Sequence, residues 1–224
     1  GFCCTNTSPL VCTMGGKKPF FGTNPLSVAA FGHEKEFVLD MATSVTAYGK
    51  IELKARKGEQ MPDTWAVDAS GKPTTNPNDF CALLPLGGMP ETGGFKGTGL
   101  AMMVEVFSSI LSDSACAPNV RKWNSFQEGP ANLGQCFFAL NPECFAPGFK
   151  DRMDSLINRL ESQEPAVGFK EVMVSGEPEV RHENLCKKLG GIPYHQSQID
   201  HLMELAASLK VDPPKIIGTT NLSV

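Results

Sequence analysis

The chain has 224 residues, of which 41% are hydrophobic and 20% are charged, which is typical of an ordinary globular protein. Its net charge of −4 argues against a nucleic-acid or anionic-membrane surface, and no apolar run approaches the ~20 residues of a membrane span. The eight cysteines form no CxxC pair, so we expect reduced, mostly buried thiols and no metal site. We therefore expect a cytoplasmic protein that binds neither nucleic acid nor membrane.

Short strands separated by polar turns dominate the first forty residues. The turns are Thr5-Asn6-Thr7-Ser8-Pro9, Gly22-Thr23-Asn24-Pro25 and the charged connection at residues 33–36. The predicted strands lie at residues 1–4, 10–13, 26–31 and 37–39.

Asp40 directly follows the last of these strands, which we expect to be buried. The ends of strands that lead into loops are where α/β proteins place their working groups. The alternative use of Asp40, or of Ser44, is to cap the next helix, and both uses can hold at once. That helix is predicted at residues 47–57, and Gly58 is expected to end it.

Residues 85–99 contain six glycines and two prolines, which predicts an irregular loop. A helix follows from about Gly97 to Ser112. Its buried face is predicted to hold the apolar side chains at three- and four-residue steps, namely Leu100, Val104, Phe107 and Leu111.

A glycine-rich loop before a helix offers free backbone N–H groups and the positive end of the helix dipole. Lys96 stands at this start, where a cation is unfavourable unless a negative group is nearby, so we expect an anion to bind here. Alternatively, the glycines only make a tight turn and Lys96 is solvated. The spacing fits neither a Walker loop nor a dinucleotide-binding Gly-x-Gly-x-x-Gly motif.

The rest of the chain alternates between strand and helix patterns. Strands are predicted at residues 134–140 and 172–174, and helices at residues 149–160, 179–189 and 197–209. Because some neighbouring strands are hairpin-linked while others alternate with helices, the pattern predicts an α/β layered domain with a mixed sheet. The four histidines have no candidate nucleophile or acid beside them in the sequence and are interpreted as surface or packing residues.

Several of these segments, taken in order, resemble the malate/L-lactate dehydrogenase family of NAD(P)-dependent oxidoreductases, which is unrelated to the Rossmann-type enzymes of similar name. Its members include ureidoglycolate, sulfolactate and diketogulonate oxidoreductases. The motifs that carry the resemblance lie at residues 5–9, 22–25, 39–44, 84–88, 94–97, 99–105 and 175–179.

The resemblance implies a three-layer, mixed-sheet, non-Rossmann nicotinamide-binding domain at residues 1–165. It implies that residues 166–224 form a C-terminal helical segment that packs with a second, helical domain built mainly from residues preceding this chain. It also implies NAD or NADP as cofactor, a small carboxylate substrate of the 2-hydroxy or 2-oxo acid type, and a homodimer.

Carried over motif by motif, the resemblance implies a specific set of cofactor-lining residues. Asp40 would in addition orient catalytic groups. The cofactor-lining residues are Leu39, Asp40, Met41, Ala42, Phe95, Lys96, Gly176, Glu177 and Pro178.

The chain departs from the family pattern in two ways. Phe95 stands where members usually have tyrosine, so a hydroxyl is lost. The family's catalytic histidine precedes the Thr5–Pro9 motif, so we expect an N-terminally truncated member that is inactive alone. The alternatives are a catalytically inactive cofactor-binding or interaction protein of the same fold and a phosphate-dependent transferase, the latter weakened by the failed Walker spacing.

Overall fold

The structure is a computed structural model that describes residues 1–123 and 129–220. The sequence predicts no regular structure at residues 113–133, and this stretch falls partly outside the described residues. The chain divides into two compact units, Gly1–Val174 and Ser175–Val224. The interpretation of an α/β domain at residues 1–165 and a helical segment at residues 166–224 stays a prediction.

All strands of the described residues lie in the larger unit and form two four-stranded sheets. The strands are β1 (Phe2–Thr5), β2 (Val11–Cys12), β3 (Pro19–Phe21), β4 (Leu26–Phe31), β5 (Glu36–Met41), β6 (Ala66–Val67), β7 (Ala82–Leu83) and β8 (Gln135–Phe138). The first sheet has the order β5-β4-β1-β8 and is antiparallel throughout. The second has the order β3-β2-β7-β6 and is mixed, since β2 and β7 pair in parallel. The predicted α/β fold with mixed-sheet topology is confirmed.

The helices of the described residues follow the predicted order. They are α1 (Tyr48–Lys57), α2 (Gly94–Glu105), α3 (Phe149–Glu161), α4 (Glu177–Leu189) and α5 (Gln196–Leu209). Gly58 adopts a φ of 65° and ends α1, as the sequence predicts. The predicted side-chain cap of α1 is wrong, because Ala47 occupies the capping position and the Ser44 hydroxyl donates to the carbonyl of Thr46.

Three apolar clusters hold the larger unit together. Ile51 of α1 packs with Val11 and Leu83 on the second sheet. A further cluster on that sheet contains Cys12, Val67, Ala82 and Leu84. The third joins α2 to the first sheet, where Val104 meets Cys4 and Leu26. The two sheets therefore have separate cores, and α2 belongs to the first.

Two of the short strands were not predicted. Pro19–Phe21 and Ala82–Leu83 are strands that no pattern predicted, since two or three residues are too few for alternation to show. The predicted strand at residues 172–174 has no regular structure. The propensity of such a run for β-structure depends on a neighbouring strand to pair with.

The predicted buried face of α2 is wrong in its second half. A π-helical turn at Val106–Ile110 continues α2 and adds a residue to the turn, which rotates everything after it. Ser108 and Ser109 are consequently buried, whereas Phe107 is 41% exposed and Leu111 is 71% exposed. The Ser108 hydroxyl donates to the carbonyl of Val104 and the Ser109 hydroxyl donates to the Glu105 carboxylate, so these inward-facing polar groups are satisfied.

Candidate functional site

The end of β5 meets the loop after β7 and joins the two sheets. The N–H of Val45 donates to the carbonyl of Leu84 over 3.0 Å, and the N–H of Leu86 donates to the carbonyl of Thr43 over 2.9 Å. An antiparallel bridge between Ser44 and Pro85 lies between these bonds. The predicted strand end at residues 39–42 is therefore held directly beside the predicted glycine-rich loop.

The start of α2 lies directly on the same loop. The N–H of Gly97 donates to the carbonyl of Leu86 over 3.1 Å. A Cβ atom on Gly97 would stand 2.2 Å from the Leu86 nitrogen, and one on Gly94 would stand 1.9 Å from the Gly88 carbonyl oxygen. The prediction that the segment is irregular up to Gly99 is thus wrong, since α2 begins at Gly94 and its glycines permit close contact with the loop.

The backbone N–H groups at this helix start are mostly occupied. Gly94 donates to the carbonyl of Met89 over 3.0 Å, and Lys96 donates to the carbonyl of Gly93 over 2.9 Å. With Gly97, three of the first four helical N–H groups are bonded within the protein. An anion at this helix start would therefore rely on the Lys96 ammonium group and not on a cradle of open N–H groups.

The predicted cofactor-lining residues of the larger unit differ in their surroundings. The side chains of Leu39 and Met41 pack against the Cys4–Leu26–Val104 cluster beneath α2. Asp40 is exposed on the opposite face of the sheet, because successive side chains of a strand alternate. At the helix start, the Phe95 ring is 60% exposed and Lys96 is exposed as well.

β5 is not the buried strand that the sequence predicts. In the described part of the chain it is an edge strand, paired on one side with β4. Its residues are exposed or only partly buried. An edge position leaves the strand end at residues 39–42 accessible from the side away from β4.

The predicted cofactor-lining residues 176–178 lie in the smaller unit. Gly176 has a φ of 102°, a left-handed conformation that favours glycine, and it precedes the first residue of α4. Glu177 and Pro178 are the first two residues of that helix, which begins two residues earlier than predicted. The part that these three residues play in the site stays a prediction.

Sequence reasoning missed a buried polar cluster at the end of α2, within the larger unit. Asn6 and Asn24 are 0% exposed and Glu105 is 5% exposed, and both asparagine amides donate to the Glu105 carboxylate. A signal was available, since a Thr-Asn pair occurs in both of the early polar turns. The amide of an asparagine in such a turn often bonds within the turn itself, so the pattern alone did not indicate a shared buried partner.

Four clefts of the larger unit have volumes between about 230 and 710 Å³. The smallest adjoins α2 through Met14, whose N–H donates to the Thr98 hydroxyl over 3.1 Å. None of the four has residues 39–42, Phe95 or Lys96 in its lining. The predicted cofactor-lining residues of the larger unit therefore lie outside these four clefts.

Two buried thiols are poorly suited to nucleophilic chemistry. Burial raises the pKa of the Cys12 thiol to about 11. Burial, together with the neighbouring Cys136 thiol, also raises the pKa of Cys4 to about 11. Both groups are neutral at pH 7, and the thiolate is the reactive form of cysteine.

The described residues also lack two other features that would redirect a functional interpretation. They contain no cluster of three or more His, Cys, Asp or Glu side chains arranged to hold a metal ion. None of their helices has the length and apolar character needed to span a bilayer.

Comparison with known proteins assigns the chain to a family. The family model for malate/L-lactate dehydrogenase matches residues 1–203. The chain is 38% identical over 217 residues to malate dehydrogenase from Pyrococcus abyssi, a match that covers 94% of this chain and 59% of that protein. It is 37% identical over 213 residues to L-sulfolactate dehydrogenase from Methanocaldococcus jannaschii, covering 93% of this chain and 59% of that protein.

The fold comparison agrees with the sequence comparison. The crystal structure of malate dehydrogenase from Entamoeba histolytica superimposes with a TM-score of 0.81 at 29% identity, covering 96% of this chain and 62% of that one. The chain thus spans about three fifths of the length of the relatives that it matches. On the matched residues and the shared fold, the chain belongs to the malate/L-lactate dehydrogenase family.

Proposed function

We propose that this chain is the cofactor-binding part of an NAD- or NADP-dependent dehydrogenase that acts on a small 2-hydroxy or 2-oxo acid. One observation carries the proposal: the strand end at residues 39–42 and the helix start at Phe95 and Lys96 are attached to the same loop. The bonds from Leu86 to Thr43 and from Gly97 to Leu86 make this attachment. Relatives named malate and L-sulfolactate dehydrogenase support the substrate class.

The residues present are compatible with a nicotinamide dinucleotide. Phe95 offers an exposed aromatic ring, Leu39 and Met41 offer partly buried apolar surface, and Lys96 offers a positive charge. Such a dinucleotide combines flat rings with phosphate groups, which suit apolar surfaces and a cation respectively. Phe95 has no hydroxyl, so its contact is restricted to the face and edge of the ring.

Each residue of the chain has a distinct role in this proposal. The nicotinamide, when bound, gives or takes the hydride. Leu39, Met41 and Ala42 hold the ring beside the strand end, and Asp40 orients polar groups from the opposite face. Lys96 binds a phosphate or the substrate carboxylate as a point charge. Gly176, Glu177 and Pro178 keep the cofactor-lining role that the family resemblance implies.

We also propose that residues 1–224 alone bind the cofactor without turning over a substrate. A proton must be transferred together with the hydride, and histidine is the commonest group for this step. His33 lies in the turn that precedes β5, at the far end of that strand from Met41, and it pairs with Asp151 over 3.3 Å. The complete enzyme is proposed to be a cytoplasmic homodimer, following the family resemblance.

The test is a titration of the purified chain with NADH and NADPH, followed by cofactor fluorescence and calorimetry. Lys96→Ala is expected to weaken binding about tenfold, the effect of one lost charge-assisted contact. Lys50→Ala, which removes an exposed lysine from α1, is the matched control and should leave the dissociation constant unchanged. If the chain bound neither NADH nor NADPH, the result would contradict the proposed function.

A second measurement separates binding from catalysis. With NADH or NADPH and malate-like 2-oxo acids, the chain is expected to show no turnover above the uncatalysed rate. Turnover would contradict the proposal that the chain only binds the cofactor and would leave the proposed cofactor class intact.

A further inference from the structure

Glu105 is the last residue of α2, and its side chain is buried within the larger unit. One of its oxygens accepts from the Asn24 amide over 2.9 Å. The other accepts from the Asn6 amide over 3.3 Å, from the N–H of Ala117 over 3.3 Å and from the Ser109 hydroxyl. A carboxylate buried at this depth is stable only when such donors replace its water.

The orientation of both asparagine amides is set by their other contacts. The side-chain oxygen Oδ1 of Asn24 accepts from the N–H of Thr7 over 3.0 Å, and the Oδ1 of Asn6 accepts from the N–H of Gly134 over 2.9 Å. Each amide must therefore turn its NH₂ group towards Glu105. In each of these contacts the Glu105 carboxylate consequently accepts the hydrogen bond.

Asn24 is also hydrogen-bonded to Thr43, just after the end of β5. The Thr43 hydroxyl lies 3.2 Å from the main-chain carbonyl oxygen of Asn24 and 3.0 Å from that of Thr23, and the Thr43 N–H donates to the main-chain carbonyl of Thr23 over 2.8 Å. Thr43 directly follows the proposed cofactor-lining residues 39–42. A chain of hydrogen bonds therefore runs from Glu105 through Asn24 to that strand end.

The turn at Asn24 depends on these bonds for its shape. Asn24 has a φ of 36°, in the left-handed region that non-glycine residues rarely adopt. A residue held in such a conformation relaxes when the surrounding contacts that impose it are removed. The Glu105 carboxylate, the Thr7 N–H and the Ala101 carbonyl are those contacts for the Asn24 side chain.

We propose that Glu105 is a positioning residue for cofactor binding: it holds the Asn24 turn, and through Thr43 it sets the position of residues 39–42. Glu105 itself touches no cofactor in this proposal, because it is buried within the larger unit. The inference rests on the proposed function. It adds that cofactor affinity depends on Glu105, a residue that does not contact the cofactor.

The test compares dissociation constants for the reduced cofactor that the unmodified chain binds more tightly. Glu105→Gln puts an NH₂ group against donors and is expected to weaken binding about tenfold. Thr43→Val removes the hydroxyl at the other end of the relay and is expected to weaken binding by a similar factor. The double variant should bind no more weakly than about the weaker single variant, since both changes break one pathway.

Two further variants separate positioning from general stability. Thr43→Ser keeps the hydroxyl and should restore binding to within about twofold of the unmodified chain. Ser109→Ala removes a Glu105 contact on the side away from Asn24 and should lower the melting temperature while the dissociation constant stays within about twofold. A merely structural role for Glu105 would instead make affinity follow stability in all variants.

The outcomes distinguish the two levels of the proposal. Binding by the unmodified chain together with unchanged binding by Glu105→Gln and Thr43→Val would overturn the positioning role alone. Additive losses in the double variant would overturn the relay. Failure of the unmodified chain to bind either cofactor would overturn the proposed function and the positioning role with it. If Glu105→Gln does not fold, Thr43→Val and Thr43→Ser test the Thr43 end of the relay, and equal binding by these two variants would overturn it.

Discussion

Two carboxylates anchor turns of the larger unit, one in its interior and one at its surface. Glu105 accepts hydrogen bonds from the Asn6 and Asn24 amides, whereas Asp154 of α3 binds the turn between β4 and β5. The Asp154 carboxylate accepts from the N–H groups of His33 over 2.9 Å, of Lys35 over 3.0 Å and of Glu34 over 3.4 Å. The geometry is similar in kind, but the surroundings and the partners differ.

The difference shows how burial changes the contribution of a carboxylate to the stability of the protein. Water can replace the contacts of Asp154, which is only partly buried, so its loss leaves donors that can be solvated. Water cannot easily replace those of Glu105, so its loss leaves buried donors without acceptors. Substitutions at the two carboxylates and along α2 test this contrast.

Glu105→Leu is expected to destabilise the larger unit by about 3 kcal/mol or more, because several buried donors lose their acceptor at once. The measurement is urea unfolding followed by circular dichroism. A loss below about 1 kcal/mol would show that the interior carboxylate is as replaceable as the surface one.

Gly97→Ala is expected to cost about 2 kcal/mol, since its Cβ would stand 2.2 Å from the Leu86 nitrogen and 2.4 Å from the Leu86 carbonyl oxygen. Gly99→Ala in the same helix is the matched control, because its Cβ would meet nothing within 4 Å. That variant should gain about 0.5–1 kcal/mol from helix propensity. Thermal unfolding of both compares a buried with an exposed face of α2, and equal effects would contradict the close contact with the loop.

Asp154→Asn is expected to destabilise the chain less than Glu105→Leu, and only above acidic pH. Desolvation favours a higher pKa for Asp154, but hydrogen bonds from the N–H groups of His33, Lys35 and Glu34 and the charge of His33 outweigh it and lower the pKa below 3.8. Because the folded-state pKa is lowered, the stabilisation is complete well above 3.8 and is lost as the pH falls through the folded-state value.

The measurement is the free energy of unfolding of both proteins against pH. The difference between the unmodified chain and Asp154→Asn should shrink as the pH falls below 3.8. A difference that stays constant into strong acid would show that the ionised carboxylate does not hold the turn.

Leu111→Gln is expected to change stability by less than about 0.5 kcal/mol, because the π-helical turn leaves this side chain 71% exposed. Val104→Ala is the control on the same helix, where the side chain is 0% exposed, and should cost about 2 kcal/mol. Chemical unfolding of both proteins tests the rotation of the second half of α2. A large effect at Leu111 would place that residue inside the protein.

The segments that hold the candidate site could be predicted because each has a local signal in the sequence. The strand before Asp40 is marked by the apolar run Phe37–Leu39, and the glycine-rich segment and the turn at residues 175–178 are marked by Gly and Pro. Which of their residues line a cofactor is implied by the family resemblance alone. The bonds between Thr43, Leu86 and Gly97 could not be predicted, since they join residues that are distant in the sequence.

The two carboxylates show the same limit. Glu105 is bound by the side chains of Asn6 and Asn24, so the residue types in the sequence carry some information about its partners. Asp154 has backbone partners, and every residue except proline carries an N–H group, so the sequence holds little trace of the contact. Gly32 is the exception, since a Cβ there would stand 1.9 Å from an Asp154 carboxylate oxygen.

The sequence by itself determined the family, the α/β class and the order of the helices, because short motifs and hydrophobic periodicity are local properties of the chain. Only the tertiary structure decided the strands at Pro19–Phe21 and Ala82–Leu83, the rotation within α2 and the occupied N–H groups at its start. In each case the outcome depends on which distant segment supplies a hydrogen-bond partner or a close backbone contact, and that becomes known only when the segments are packed together.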